Sequence, residues 1–222
     1  MFSNTHMFFE IAKRTIDIAS SISLIILFFP IMLITAIIIK LTSSGTILVE
    51  KDNESAQRVG KNGRVFYHYK FRSMIAYGYD AIKNNPKFKK HYREYRESNF
   101  KLNKDPRVTK FGKLIRKYSI DETPQFFNVL KGEMSLVGPR PCFVEELEEQ
   151  KKRFPECEKY IKEMLKVKPG ITGYWQVSGR SEVNFDKRVE MDAYYARKRS
   201  LFFDLLIILK TPYAMISGRG AV

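Results

Sequence analysis

Twenty-two consecutive residues without a charge, Ile18 to Ile39, constrain this chain more than any other feature. As a straight helix the run covers roughly 33 Å, about one hydrocarbon core of a bilayer. It is too long for a signal-peptide core, and no convincing small-residue cleavage site follows before Gly45. Three structures satisfy it: a spanning helix, a re-entrant helix that turns back inside the bilayer, and a buried helix of a soluble core. Pro30 sits near the middle, after Phe28 and Phe29. A mid-helix proline removes one backbone hydrogen bond and bends the axis. Lys13 and Arg14 precede the run, and Lys40 and Lys51 follow it, so basic residues draw both ends to the cytoplasmic side. A segment with both ends on one side must turn back, and Pro30 is the available hinge.

The whole chain of 222 residues carries a formal charge of +15. An excess of that size points to an anionic partner: nucleic acid, anionic lipid or a phosphorylated substrate. No RRM, helix-turn-helix or zinc signature supports nucleic acid. Cys142 and Cys157, the only cysteines, make neither a disulfide framework nor a zinc site and read as free cytosolic thiols. The three histidines, His6, His68 and His91, are scattered. That argues against histidine-based triads and His-ligated metals. His68 lies in an alternating, strand-like run and reads as structural.

Residues 46–52 and 64–72 read as short strands, and 79–101 as a very polar helix. From Lys83 to Lys117 the chain has 13 basic residues against three acidic ones. Such a run is a solvated face in a soluble protein, but each cation near an anionic leaflet adds ~1 kcal/mol of attraction. Residues 124–130 read as a short helix, with Pro124 at its first position and Gly132 just past its end. Residues 142–166 form a charged helical stretch bent or split at Pro155. Residues 169–180 set turn glycines around a strand-like pair, Trp175 and Val177. Residues 185–199 are another basic helix. After Ser200 comes LFFDLLIILKTPYAMI, which Asp204 and Lys210 interrupt. It reads as an interfacial helix with Lys210 reaching the headgroups, or as a C-terminal core helix. The fold class expected is α/β in content, mainly helical with short strands. The absence of a GxGxxG argues against a Rossmann sheet.

Chemistry concentrates in KYSIDETPQFFNVLKGEMSLVGPRP, residues 117–141. Asp121 and Glu122 are adjacent carboxylates. Ser119 and Glu122 match a capping box, but Pro124 would then fall inside the helix. Thr123 as N-cap with Pro124 next suits proline better and leaves both acids just ahead of the helix, beside its partial positive charge. One acid can then attack phosphorus while its neighbour holds a divalent ion; the alternative is plain capping. Successive side chains diverge, so the pair does not suit a glycosidic bond. Arg140, between Pro139 and Pro141, is presented from a stiff extended segment, as a phosphate ligand or as a turn arginine. Lys70 and Arg72 lie two apart, so in a strand they share a face and can grip a diphosphate, or simply make a basic strand. Gln176 and Arg180 sit in the glycine-rich turn region. Arg219, between Gly218 and Gly220, reads as tail.

Together these segments resemble the bacterial sugar transferases, the monotopic phosphoglycosyl transferases. The likeness is carried by KRTIDI at 13–18, KFRSM at 70–74, the block from Asp105 to Pro141, PGITGYWQVSGR at 169–180 and the tail from Asp192 to Val222. It covers nearly the whole chain. The resemblance implies transfer of a sugar phosphate from a nucleotide diphosphate sugar to undecaprenyl phosphate in two displacement steps. Asp121 matches the attacking acid, Glu122 the neighbour that helps hold Mg²⁺, and Arg140 the phosphate-binding arginine of Pro-Arg-Pro. It implies a re-entrant anchor, here residues 1–45, ahead of a cytoplasmic catalytic domain, 46–222, with interfacial helices. The expected place is the bacterial inner membrane, with catalysis on its cytoplasmic face, anionic phospholipid as surface and no nucleic acid as partner. Many members have Ser-Pro at the helix break, whereas this chain has Phe29-Pro30. The tail resembles that of hexose-phosphate transferases for exopolysaccharide, capsule or lipopolysaccharide, so galactose or glucose phosphate is the expected group. The competing reading is a non-enzymatic basic module tethered to the membrane, which leaves the acid pair and Pro-Arg-Pro unexplained.

Overall fold

The computed structural model describes residues 4–50, 56–76, 82, 86, 89–97, 102, 105–178 and 183–216. In chain order these form α1 (Asn4–Thr42), β1 (Gln57–Val59), β2 (Val65–Tyr67), α2 (Lys89–Glu97), α3 (Lys110–Lys117), α4 (Gln125–Lys131), β3 (Ser135–Val137), α5 (Val144–Arg153), α6 (Glu158–Met164), β4 (Gly170–Thr172), α7 (Tyr174–Ser178), α8 (Phe185–Lys198) and α9 (Leu201–Ile216). The protein is mainly helical, and its described strands make only two two-stranded sheets, β1–β2 and β3–β4. No Rossmann-type sheet is present among the described residues, as the sequence implies.

The long helix α1 contains the whole uncharged run. Its outward residues are large and apolar: Phe8, Ile26, Leu27 and Leu41 are 67–79% exposed. Its buried residues include Asp17, Ser21 and Thr35. A helix that turns leucine and isoleucine outward and buries Asp17, Ser21 and Thr35 suits a hydrocarbon surrounding, because water would penalise that apolar surface. Its length and composition suffice to cross or enter a membrane. Pro30 sits inside the helix and withholds the amide that would bond the Ile26 carbonyl. No residue around it leaves the helix, so the hinge expected there is not a loop.

The chain gathers into two compact units. The first takes residues up to Leu27, 58–66, and 125 onward. Its core holds Val59, Cys142, Leu147, Cys157, Ile161, Met164, Phe185 and Val189, with α6 packed on α8. Strands β3 and β4 pair in parallel, Ser135 opposite Gly170 and Val137 opposite Thr172. A Cβ built on Gly170 would lie 2.0 Å from the Gly138 nitrogen, so only glycine allows this approach. Several polar side chains of α1 serve this unit. Arg14 donates to the Val129 and Leu130 carbonyls at the end of α4 (2.6 and 2.8 Å). Asp17 accepts from the Ser135 hydroxyl and the Leu136 N–H, both 3.0 Å. Lys13 donates to Asp204 on α9 (2.5 Å).

The second unit takes residues 28–57 and 67–124. Met32, Ile39, Phe71 and Ile115 form its core, flanked by Phe28, Ala36, Leu48, Phe111 and Ile120. Helix α3 starts from Thr109, whose hydroxyl accepts the Gly112 N–H.

The charged stretch 142–166 does split at Pro155, into α5 and α6 around a short 3₁₀ turn. Three expectations need correction. Of the strand expected at 46–52, residues 51 and 52 lie outside the described residues and 46–50 form no strand: there only Leu48 bridges Phe71, through Val49 N–H to the Lys70 carbonyl and Arg72 N–H to the Ile47 carbonyl. The second expected strand, 64–72, shrinks to β2 plus that bridge, because the Phe71 N–H turns away to the Asp121 carbonyl. Trp175 and Val177 lie in the short helix α7; the strand is the preceding Gly170–Thr172, and Gly173 ends it.

Candidate active site

The acid pair stands in a single 3₁₀ turn, Ile120–Glu122, ahead of α4. Helix α4 begins at Gln125, and Thr123 does not cap it. Its hydroxyl turns back to donate to the Ile120 carbonyl (2.8 Å). The turn is entered through Ser119 in the left-handed region, φ 54°. A non-glycine residue there is strained and persists only where its surroundings fix it. They do so on two sides: Ile120 packs in the core of the second unit, and the Asp121 carbonyl accepts the Phe71 N–H (2.9 Å).

That last bond also positions Lys70. The Lys70–Arg72 segment is held by the 47–49 backbone along one edge and by Asp121 on the other. The Lys70 ammonium thereby reaches both acids, 2.8 Å from Asp121 Oδ2 and 3.2 Å from Glu122 Oε1. Asp121 is only 2% exposed, whereas the Glu122 side chain is 41% exposed. Burial raises the Asp121 carboxyl above the usual range, Lys70 opposes the shift, and Glu122 adds to it. Burial disfavours the charge on Lys70, yet the two carboxylates outweigh it and raise that pKa. The result is a poorly solvated carboxylate held by an ammonium, with a wetter carboxylate beside it. The first suits attack on an electrophile and the second suits a cation or a phosphate-bound metal.

Arg72, expected to work with Lys70, is buried and occupied elsewhere. Its guanidinium donates to the Ser43 carbonyl (3.0 Å), the Ser43 hydroxyl (2.9 Å) and the Ser44 carbonyl, just past α1. Arg116, on the last turn of α3, was not singled out in the sequence. Its charge acts on both Asp121 and Lys70, favouring the ionised carboxylate and disfavouring the ammonium. Its signal was five-residue spacing from Asp121, which a basic run of that density conceals.

Arg140 and Gln176 lie in the first unit. The Arg140 N–H donates to Asp192 Oδ2 (3.3 Å), and its guanidinium lies 5.5 Å from the Trp175 ring centre. Gln176 donates to the Ile171 carbonyl (3.3 Å). Arg188 pairs with Glu146 (2.8 Å) and also faces Trp175. Arg180 lies outside the described residues, as does Arg219.

Among the described residues no three His, Cys, Asp or Glu side chains gather at a point. The acid pair offers hard carboxylate oxygens alone. Such a donor set fits Mg²⁺, which takes one or two carboxylates and completes its shell with phosphate oxygens and water.

Residues 8–218 match the family described as bacterial sugar transferase. The undecaprenyl-phosphate galactose phosphotransferase of Salmonella typhimurium is 42% identical over 213 residues, 94% of this chain and 41% of that protein. The exopolysaccharide production protein ExoY of Rhizobium meliloti is 37% identical over 214 residues, 95% of this chain and 88% of that protein. The UDP-N-acetylgalactosamine-undecaprenyl-phosphate N-acetylgalactosaminephosphotransferase of Aeromonas hydrophila is 40% identical over 215 residues, 94% and 44% of the two chains. The chain thus spans about two-fifths of the length of the Salmonella relative and most of ExoY. With a match that runs almost from end to end and includes the acid pair and Pro-Arg-Pro, the chain belongs to the bacterial sugar transferase family.

Proposed function

We propose that this protein transfers a sugar 1-phosphate from a UDP-sugar to undecaprenyl phosphate, the step that opens exopolysaccharide, capsule or lipopolysaccharide synthesis. The observation that carries this reading is the buried Asp121 carboxylate, gripped by Lys70 in a strained turn beside Glu122. A passive binding surface has no use for an acid held in that way. The names of the Salmonella and Aeromonas relatives give undecaprenyl phosphate as acceptor. The Salmonella name and the UDP-galactose-lipid carrier transferase of Erwinia amylovora support galactose, with glucose and N-acetylated sugars as alternatives.

In the first step an Asp121 oxygen attacks the β-phosphorus of the donor. The bond from that phosphorus to the bridging oxygen breaks, and UMP leaves with the oxygen and its electron pair. The phosphosugar is then an acyl phosphate on Asp121. In the second step a phosphate oxygen of undecaprenyl phosphate attacks the same phosphorus. The Asp121 carboxylate is released and the new diphosphate carries the sugar. Lys70 keeps Asp121 ionised before attack and stabilises it again as the leaving group. Arg140, Gln176 and Arg180 are assigned to the donor's phosphates and neighbouring groups, while Arg72, its guanidinium taken by Ser43 and Ser44, acts through the loop it holds. Glu122 would hold Mg²⁺, which would offset charge on the diphosphate.

The apolar exterior of α1 and the basic residues on both sides of its run support a re-entrant anchor hinged at Pro30, with catalysis on the cytoplasmic face of the inner membrane. Helix α9 supports the same surface: Phe202, Leu209 and Tyr213 are 66–73% exposed.

UMP release from a panel of UDP-sugars, by detergent-solubilised protein with undecaprenyl phosphate and Mg²⁺, tests the reading. Release with one donor, abolished by Asp121→Asn, is expected. With donor alone, a burst of about one UMP per enzyme is expected from the covalent step. Wild-type turnover by Asp121→Asn would overturn the assignment.

A further inference from the structure

Asp192 lies in α8, is 1% exposed and sits among groups that do not neutralise it directly. The nearest guanidinium on its own helix, Arg188, gives its hydrogen bonds to Glu146 (2.8 Å) and the Cys142 sulfur (3.7 Å). Asp192 Oδ2 instead accepts the backbone N–H of Arg140 (3.3 Å), and Oδ1 is buried without a hydrogen-bond partner among the described residues. Proline has no N–H, so in Pro139-Arg140-Pro141 the Arg140 N–H is the one backbone donor. Asp192 takes that single handle. The other backbone groups are tied as well: Gly170 N–H donates to the Pro139 carbonyl (2.9 Å), and the Cys142 thiol reaches the Arg140 carbonyl (3.6 Å). The guanidinium has no ion pair among the described residues. It stands over Trp175, and Arg140 lines a small cleft with Val59, Gly60 and Met164. The backbone of this arginine is thus engaged and its head is left to act.

We infer that Asp192 is a positioning residue for Arg140: by holding the only amide in Pro-Arg-Pro, it aims the Arg140 guanidinium at a phosphate of the nucleotide diphosphate donor. The inference rests on the function proposed above. An amide N–H needs only an acceptor oxygen, so the role lies in the oxygen and not in the charge. Asparagine at 192 therefore keeps it, and alanine loses it.

The test is a double-mutant cycle on the whole 222-residue chain in detergent, with Asp192→Ala, Arg140→Ala and the double variant, and Asp192→Asn as rescue. Two readouts are taken: kcat and KM for the UDP-sugar, and the Kd of UDP. Asp192→Ala is expected to raise KM and the UDP Kd about tenfold, and Asp192→Asn to stay within about threefold of wild type. In the Arg140→Ala background, Asp192→Ala is expected to add nothing. Equal effects in both backgrounds would mean a structural role only and would overturn the inference, as would failure of Asp192→Asn to rescue a folded protein. If the wild-type protein releases no UMP from any donor, the functional reading fails, and the UDP-binding cycle still decides whether Asp192 acts through Arg140. If wild type binds no UDP and turns nothing over, both fall.

Discussion

The Lys13 ammonium lies 2.5 Å from Asp204 Oδ2, joining the start of α1 to α9 in a nearly dry pocket. Tyr195 completes the arrangement, donating to Asp204 Oδ1 (2.6 Å), while both Lys13 and Tyr195 meet the Val137 carbonyl (3.1 and 3.0 Å). Removing one partner of such a pair strands the other charge, at a typical cost of roughly 3–5 kcal/mol. Lys13→Met is expected to lower the unfolding midpoint in detergent strongly. The pair Lys13→Met with Asp204→Leu is expected to recover much of the loss, as a thermal melt of the three variants will show.

Lys70 makes a prediction about pH. Burial raises the Asp121 pKa and the Lys70 ammonium opposes it. In the proposed mechanism Asp121 attacks only when ionised, so activity is expected to rise with pH through that pKa. Lys70→Met takes away the opposing charge and moves the rise to higher pH. Turnover near neutrality is expected to fall by at least ~10²-fold, with partial recovery in alkali, as a pH–rate profile of the donor-dependent UMP burst will show.

The acid pair, Pro-Arg-Pro and the apolar run were legible because each is local: adjacency, flanking prolines and an unbroken stretch are read straight from the chain. What each residue touches was not. Lys13 and Arg14 read as flanking charges for the membrane, yet Lys13 pairs with Asp204 and Arg14 closes the end of α4. Charge counting cannot see partners so distant along the chain. Arg72 reads as a partner to Lys70 because alternation puts both on one strand face. The strand is one bridge long, however, and the guanidinium finds the carbonyls after α1. Trp175 and Val177 alternate like a strand, but the parallel pairing is complete at Thr172, and a five-residue helix follows.

Arg72 should therefore matter to folding as well as to activity. Arg72→Ala leaves the Ser43 and Ser44 carbonyls without their donor inside the protein, an omission worth roughly 1–3 kcal/mol. Arg72→Lys, with one point charge in place of a fork, is expected to recover only part. Denaturant titration separates this from a direct effect on donor KM.

Gly112 carries a steric prediction. A Cβ there would lie 1.9 Å from the Ser73 carbonyl oxygen, a backbone atom that cannot swing aside. Gly112→Ala, normally favourable in a helix, is expected to destabilise by roughly 1–3 kcal/mol by pushing α3 off the segment around Ser73. The melting temperature should fall instead of rise.

Asp192 titrates near neutrality, its pKa pushed up to about 7 by burial against the pull of Arg188 and Arg140. The unfolded value is about 3.9. A raised folded pKa gives stability that is fully present below the unfolded value and is lost as pH rises through about 7. Asp192→Asn does not titrate. Its melting temperature is expected to gain on that of wild type between pH ~4 and ~7, as paired melts across that range will show.

The polar anchors on α1 bear on how the protein can be handled. Arg14 closes α4, Asp17 ties down β3 and Lys13 pairs with α9. A membrane anchor is often treated as a leash that can be cut to free a soluble enzyme. Cutting this one would strip the remaining chain of a guanidinium, a carboxylate and an ammonium that its own backbone and Asp204 need. A helix apolar enough to enter lipid is here also internal masonry, so a detergent or nanodisc is expected to serve this protein better than a shorter gene.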